Sequence, residues 1–314
     1  MNGEARSMDA GAQVQTRAHR SFVHVPADWE AVAHRKVVGF VTSETWRRPD
    51  GRLVTWTSRA HRKGPGRHAA AESTWWAPRA LGWWVAVLFI IGSACFAIGP
   101  APGYLSWVGY QADTVTFFVG SIFFTSAALC QYIQTVRVPR VIGADGARVR
   151  TPFLGFEPRR IDFWAAGVQF VGTLFFNVTT FNAMRGNPDY QKYIWTPDWR
   201  GSICFLIASE LAFAEVGHRT FSWIPRSRSW RITALNLLGS VFFGVSAIAS
   251  YTSPTTGAPV SVFWTNLGTF AGAICFLVGA VLLMPERTHP DTEPKDDHGP
   301  ARQNSEPQEA RRTR

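Results

Sequence analysis

Cysteine is scarce here, four in 314 residues, and Cys95, Cys130, Cys204 and Cys275 all fall inside apolar runs. No CxxC or Cys/His spacing accompanies them, which argues against a disulfide framework or a zinc site and leaves them as small buried hydrophobes. Lysine is as rare: Lys36, Lys63, Lys192 and Lys295 are the whole set, and arginine supplies the remaining basic charge. That usage fits a GC-rich bacterial genome. The polar N-terminal part also lacks catalytic spacing, since Asp28, Glu30, His24 and His34 form no nucleophile, metal or phosphate-loop pattern. No enzyme activity, metal or cofactor is expected. Residues 1–20 have neither an apolar period nor the apolar h-region of a signal peptide, and are expected to be disordered.

What the sequence does have is apolar length. Its mean hydropathy of -0.03 averages polar ends over an apolar middle. Between Ala80 and Met284 the chain repeatedly offers runs close to the ~20 residues that cross about 30 Å of hydrocarbon. The expected fold is therefore all-α integral membrane, with six transmembrane helices over about 81–99, 114–133, 163–184, 199–216, 232–250 and 260–284. The fourth is the shortest. Residues 21–79 form a basic segment in which Val37–Thr42 and Leu53–Thr57 are β-prone around the turn Arg48-Pro49-Asp50-Gly51, predicting a β-hairpin. Residues 285–314 are charged and Pro-containing, and read as a disordered tail.

The formal charge of +10 raises nucleic acid as a partner, but the cations crowd alternate loops rather than one face, so topology explains them and nucleic acid is set aside. Arg137, Arg140, Arg148, Arg150, Arg159 and Arg160 follow the second span, and Arg219, Arg226, Arg228 and Arg231 follow the fourth. The loops after the first and fifth spans contain no Lys or Arg, and the loop after the third offsets Arg185, Lys192 and Arg200 with Asp189 and Asp198. Both termini are thus expected in the cytoplasm, with the protein multi-pass in the cell membrane. The segment 59–68, Arg-Ala-His-Arg-Lys-Gly-Pro-Gly-Arg-His, is a juxtamembrane cluster of the kind that anionic lipid head groups attract.

Laying odd spans on odd and even on even discloses an internal repeat. The odd spans share G-[ST]-x-x-F at Gly92–Phe96, Gly172–Phe176 and Gly239–Phe243. The even spans share G-[SA]-I-[FC]-F at Gly120–Phe124, Gly201–Phe205 and Gly272–Phe276. Small residues let helix backbones approach closely in lipid, where the hydrophobic effect does not drive association. A Phe four residues later lies on the same face and fills the space beside each contact. Six spans become three same-orientation hairpins. These hairpins resemble the YrhK-like family of small bacterial membrane domains, and the resemblance would cover Leu81 to Met284 as three copies. It implies architecture without catalytic residues. Mitochondrial carriers also have three hairpins, but their P-x-[DE]-x-x-[KR] signature is missing from the odd spans.

One ionisable residue stands near an expected midplane: Glu210, nine residues before Arg219, where repeat positions carry Leu129 and Val281. Such a group is a candidate proton or cation site. Glu215 corresponds to Gln134 and Glu286, and is therefore expected at the inner water interface. Gln131, Gln169 and Asn177 are expected to bond between helices. The reading that follows is a structural or interaction protein of the bacterial cytoplasmic membrane, with a small transporter or channel using Glu210 as the alternative.

Overall fold

A computed structural model describes residues 25–58, 75–137, 155–217 and 223–286. The 1–20 segment, the basic cluster at 59–68 and residues 287–314 lie outside the described residues.

The N-terminal segment forms a three-stranded antiparallel sheet, ordered β1 (Glu30–Val37), β2 (Phe40–Arg47), β3 (Leu53–Thr57). The run Val37–Thr42, expected as one strand, is broken in its middle. Val38 and Gly39 take φ of 50° and 83°, the left-handed pair that a tight hairpin turn requires. The chain reverses there, so Val37 ends β1 and Phe40 begins β2. Strand β1 carried no alternating signal because Glu30 to Lys36 are all exposed. The sheet has its own small core, in which Trp46 and Trp56 pack with Val25, Trp29 and Val41.

The rest is helical: α1 (Leu81–Ile98), the short α2 (Tyr104–Val108), α3 (Tyr110–Val136), α4 (Ile161–Met184), α5 (Thr196–Gly217), α6 (Arg228–Ala249) and α7 (Val262–Glu286). A single π-helical turn, Gln191–Trp195, leads into α5. Helices α1, α3, α4, α6 and α7 are long and apolar enough to cross a membrane. Helix α5, expected as the fourth span, has the length but carries Asp198, Arg200, Glu210 and Glu215. Each of the six long helices packs on its chain neighbour and α7 closes on α1, so they form a complete ring.

The ring is filled along its axis by phenylalanine. Phe96, Phe176 and Phe243 contact one another at ring-centroid distances of 6.0–6.4 Å. Phe124, Phe205 and Phe276 form a second triangle at 5.6–6.3 Å. The triangles are stitched together by the pairs 96–124, 176–205 and 243–276, at 5.1–5.4 Å. All six rings are at most 8% exposed. Contacts in this range, mostly edge-to-face, each add about 0.5–1.5 kcal/mol beyond burial.

These rings fit because glycine faces them. A Cβ on Gly92 would stand 2.8 Å from Phe124, and one on Gly120 3.0 Å from Phe96. The same reciprocal relation joins Gly172 to Phe205 (2.8 Å), Gly201 to Phe176 (3.2 Å), Gly239 to Phe276 (3.0 Å) and Gly272 to Phe243 (2.8 Å). Within each pair of helices, one glycine's missing side chain is the other's phenylalanine pocket. The adjoining Ser93, Ser121, Thr173, Ser202, Ser240 and Ala273 are at most 1% exposed. Of these, Ser121 meets Thr180 at 2.9 Å and Ser240 meets Ser209 at 2.7 Å, hydroxyl bonds between neighbouring helices.

This packing predicts a difference between glycines. In Gly272→Ala the new methyl group would also stand 2.9 Å from the Gly239 carbonyl oxygen, an overpacking expected to cost about 1–3 kcal/mol. At Gly167 the nearest atom is 3.8 Å away, so Gly167→Ala should stay within about 0.5 kcal/mol of the parent or above it. Reversible unfolding in mixed micelles measures both.

Candidate functional site

The polar chemistry of the described chain gathers at the end of the ring that carries the sheet. Helices α1, α4 and α6 all begin there, and all begin alike. Pro78-Arg79, Pro158-Arg159 and Pro225-Arg226 each precede the glycine of their helix by the same 14 residues. Each Pro occupies the second position of a turn, the place its fixed φ favours. The turns are closed by amides donating to carbonyls, Ala80 to Ala77, Arg160 to Glu157 and Ser227 to Ile224, each at 3.0 Å. A side chain then donates back to the proline carbonyl: the Trp84 indole at 2.9 Å, the Trp164 indole at 3.0 Å and Arg231 Nε at 2.7 Å. The preceding aromatic, Trp83, Phe163 or Trp230, is buried in each case. A comparison of helix starts would have found this pattern in the sequence.

The second turn alone receives the sheet. Arg160, 2% exposed, forms a buried two-pronged ion pair with Asp162 through Nε and Nη2. Its Nη1 donates to the Thr135 carbonyl at the end of α3, 3.0 Å away. Its backbone bridges Val41 of β2 in parallel. One arginine thus joins α3, α4 and the sheet. Around it Val37, Phe40, Ile161, Leu211 and Ala214 make a small apolar cluster. Thr42, Ser43, Glu44 and Glu157 are buried close by in sequence, on β2 and in the turn.

Glu215, expected at the inner water interface, belongs to this junction and is covered there by the sheet. It is 2% exposed, and Ser58, just past β3, donates a short buried hydrogen bond to its Oε1. The sheet-side end of α5 is polar because a folded sheet sits on it, and a repeat comparison of helices alone has no access to that contact. His218, three residues after Glu215, lies outside the described residues.

The other candidates fall elsewhere. Glu210 is half-buried on α5, and its carboxylate has no hydrogen-bond partner among the described residues. The central axis of the ring is filled by phenylalanine. Gln131 Nε2 reaches Gln169 Oε1 at 3.5 Å between α3 and α4, a long contact at the limit of a hydrogen bond. Asn177 Oδ1 is buried without a partner among the described residues, so the expected bond between helices is not made by that atom. Shorter hydroxyl bonds between helices are made by Ser121 with Thr180, Ser209 with Ser240 and Ser246 with Thr269.

At the opposite end the π-helical turn is pinned to α6. Trp195 Nε1 donates to the Ala247 carbonyl at 2.8 Å and the Tyr190 hydroxyl to the Ser250 carbonyl at 3.3 Å. Asp198 lies in the first turn of α5, ahead of the expected 199–216 span. No group of three or more His, Cys, Asp or Glu residues arranged to hold a metal ion occurs among the described residues.

No protein-family model, curated protein or solved structure matches the chain.

Removing Arg160 while keeping Asp162 would take the two-pronged ion-pair partner from a carboxylate that is 0% exposed. Arg160→Gln is therefore expected to cost about 3–5 kcal/mol, with Arg160→Met/Asp162→Leu recovering part of the loss. Denaturation midpoints of the three proteins provide the comparison. Equal midpoints for Arg160→Gln and the parent would refute the keystone role.

Proposed function

We propose that the chain is a six-span protein of the bacterial cytoplasmic membrane with a structural or interaction role. It is built as three same-orientation hairpins around a solid axis, with the sheet and both termini on the cytoplasmic side. The observation that carries this reading is the double triangle of Phe96, Phe176, Phe243 and Phe124, Phe205, Phe276. A bundle whose centre is packed with rings is suited to holding shape, and conduction along that axis would require dismantling it.

The three-hairpin reading is supported by the reciprocal glycine and phenylalanine contacts and by the three matching Pro-Arg turns, which extend the likeness beyond G-[ST]-x-x-F. Helix α5 is included as a span because its 22 residues reach about 33 Å at 1.5 Å per residue and because it completes the ring. Two of its charged residues lie near its ends: Asp198 in its first turn, and Glu215 under the sheet. Orientation follows from arginine, which is concentrated at the sheet end and in the loops expected beside it. Membership of the YrhK-like family rests on the hairpin motifs and is part of the same proposal.

In this reading the bundle presents the sheet to the cytoplasm, rigidly joined through Arg160, Ser58 and Glu215, with strand β1 exposed on it. A transporter using Glu210 is the competing function. Reconstitution of the parent and Glu210→Gln in liposomes decides between them. The scaffold reading predicts no proton or small-ion flux above empty liposomes for either protein. Flux in the parent that Glu210→Gln abolishes would replace it with the transporter.

A further inference from the structure

The three Pro-Arg turns do more than start helices. Arg79, Arg159 and Arg226 sit at the same position of the same turn, one for each odd helix, and all three are exposed. None has an acidic partner among the described residues. Beside the first two, the indoles of Trp84 and Trp164 are 45% and 38% exposed while their N–H groups are held by the proline carbonyls. A partly exposed indole with a fixed orientation is suited to the headgroup depth of a bilayer. In the third copy Arg231 takes the indole's place, bonding the same carbonyl through Nε, and adds a second cation. At the opposite end two of the three described cations are engaged with rings, Arg185 over Phe181 at 5.6 Å and Lys192 over Tyr193 at 4.9 Å, and Arg200 is exposed at the start of α5.

We infer that the three turns are matched binding sites for the phosphate of anionic phospholipids in the cytoplasmic leaflet, one headgroup to each of Arg79, Arg159 and Arg226. The inference rests on the proposed orientation. It goes further than the basic cluster at 59–68, because these arginines are held on folded turns at one level of the ring. A guanidinium offers a phosphate two parallel N–H donors, and anionic lipid is concentrated on the cytoplasmic face. Orienting the chain in the membrane requires only arginine somewhere in these loops. It does not require the same turn position three times, nor an exposed aromatic locked beside it in two copies.

The test uses the full-length purified protein, with phosphatidylglycerol and phosphatidylcholine as probes. Native mass spectrometry counts retained lipids, and thermal unfolding in micelles measures the stabilisation by each lipid. The parent is expected to retain up to three phosphatidylglycerol molecules and to be stabilised by them more than by phosphatidylcholine. Each of Arg79→Gln, Arg159→Gln and Arg226→Gln should lose one bound lipid, and the triple variant should bind at least tenfold more weakly. Arg185→Gln should behave as the parent. The single variants carry the test if the triple variant fails to fold. Unchanged retention after these substitutions, equal retention of the two lipids, or displacement of the lipid by millimolar inorganic phosphate would each overturn the inference. Cysteine accessibility measures the orientation separately, so a correctly oriented protein indifferent to anionic lipid would sink this inference alone.

Discussion

Everything in the bundle depends on a glycine being opposite a phenylalanine. Lipid gives helices no hydrophobic reason to associate, so contact must come from close backbone approach and dense packing. In each of the three helix pairs, α1 with α3, α4 with α5 and α6 with α7, glycine provides both. It lets the backbones draw together, and it leaves the space that the partner's ring occupies. The six rings then meet at the axis, where any one of them touches rings from neighbouring helices. A change at one glycine is felt across the ring because the core has no slack to absorb it.

Around this near-equivalent core, one side differs. Among the described residues the sheet packs on the second hairpin, where Arg160 stands at the position occupied by Ala80 and Ser227 in the other two helix starts. A residue that is a helix flank in two copies becomes, in the third, the tie between α3, α4 and β2. The ion pair it makes with Asp162 is stabilising only while both partners are present. Its value lies in fixing where the sheet docks, and Ser58 with Glu215 pins the far side of that contact to α5. A symmetric bundle thereby carries one directional feature.

Much of this was legible in the sequence for a physical reason: helices in lipid are selected residue by residue for length and for small contacts, and both leave local traces. The glycine and phenylalanine positions could be read directly, as could the turn between β2 and β3. Strand β1 could not, because Glu30–Lys36 face solvent and show no alternation. Neither could the fate of Glu215, whose environment is set by Ser58, 157 residues earlier. The Pro-Arg turns were present in the sequence but lay outside the apolar segment on which the repeat was aligned. Glu210 stood out for its charge, yet charge alone did not place it on the axis, which belongs to phenylalanine.

The central claim, three hairpins of one orientation with α5 as a true span, is tested most directly by cysteine labelling in intact cells. Ser106→Cys, Gln191→Cys and Thr255→Cys should all react with an impermeant maleimide, while Asp145→Cys reacts only after permeabilisation. Labelling of Asp145→Cys in intact cells, or protection of any one of the other three positions, would contradict the account.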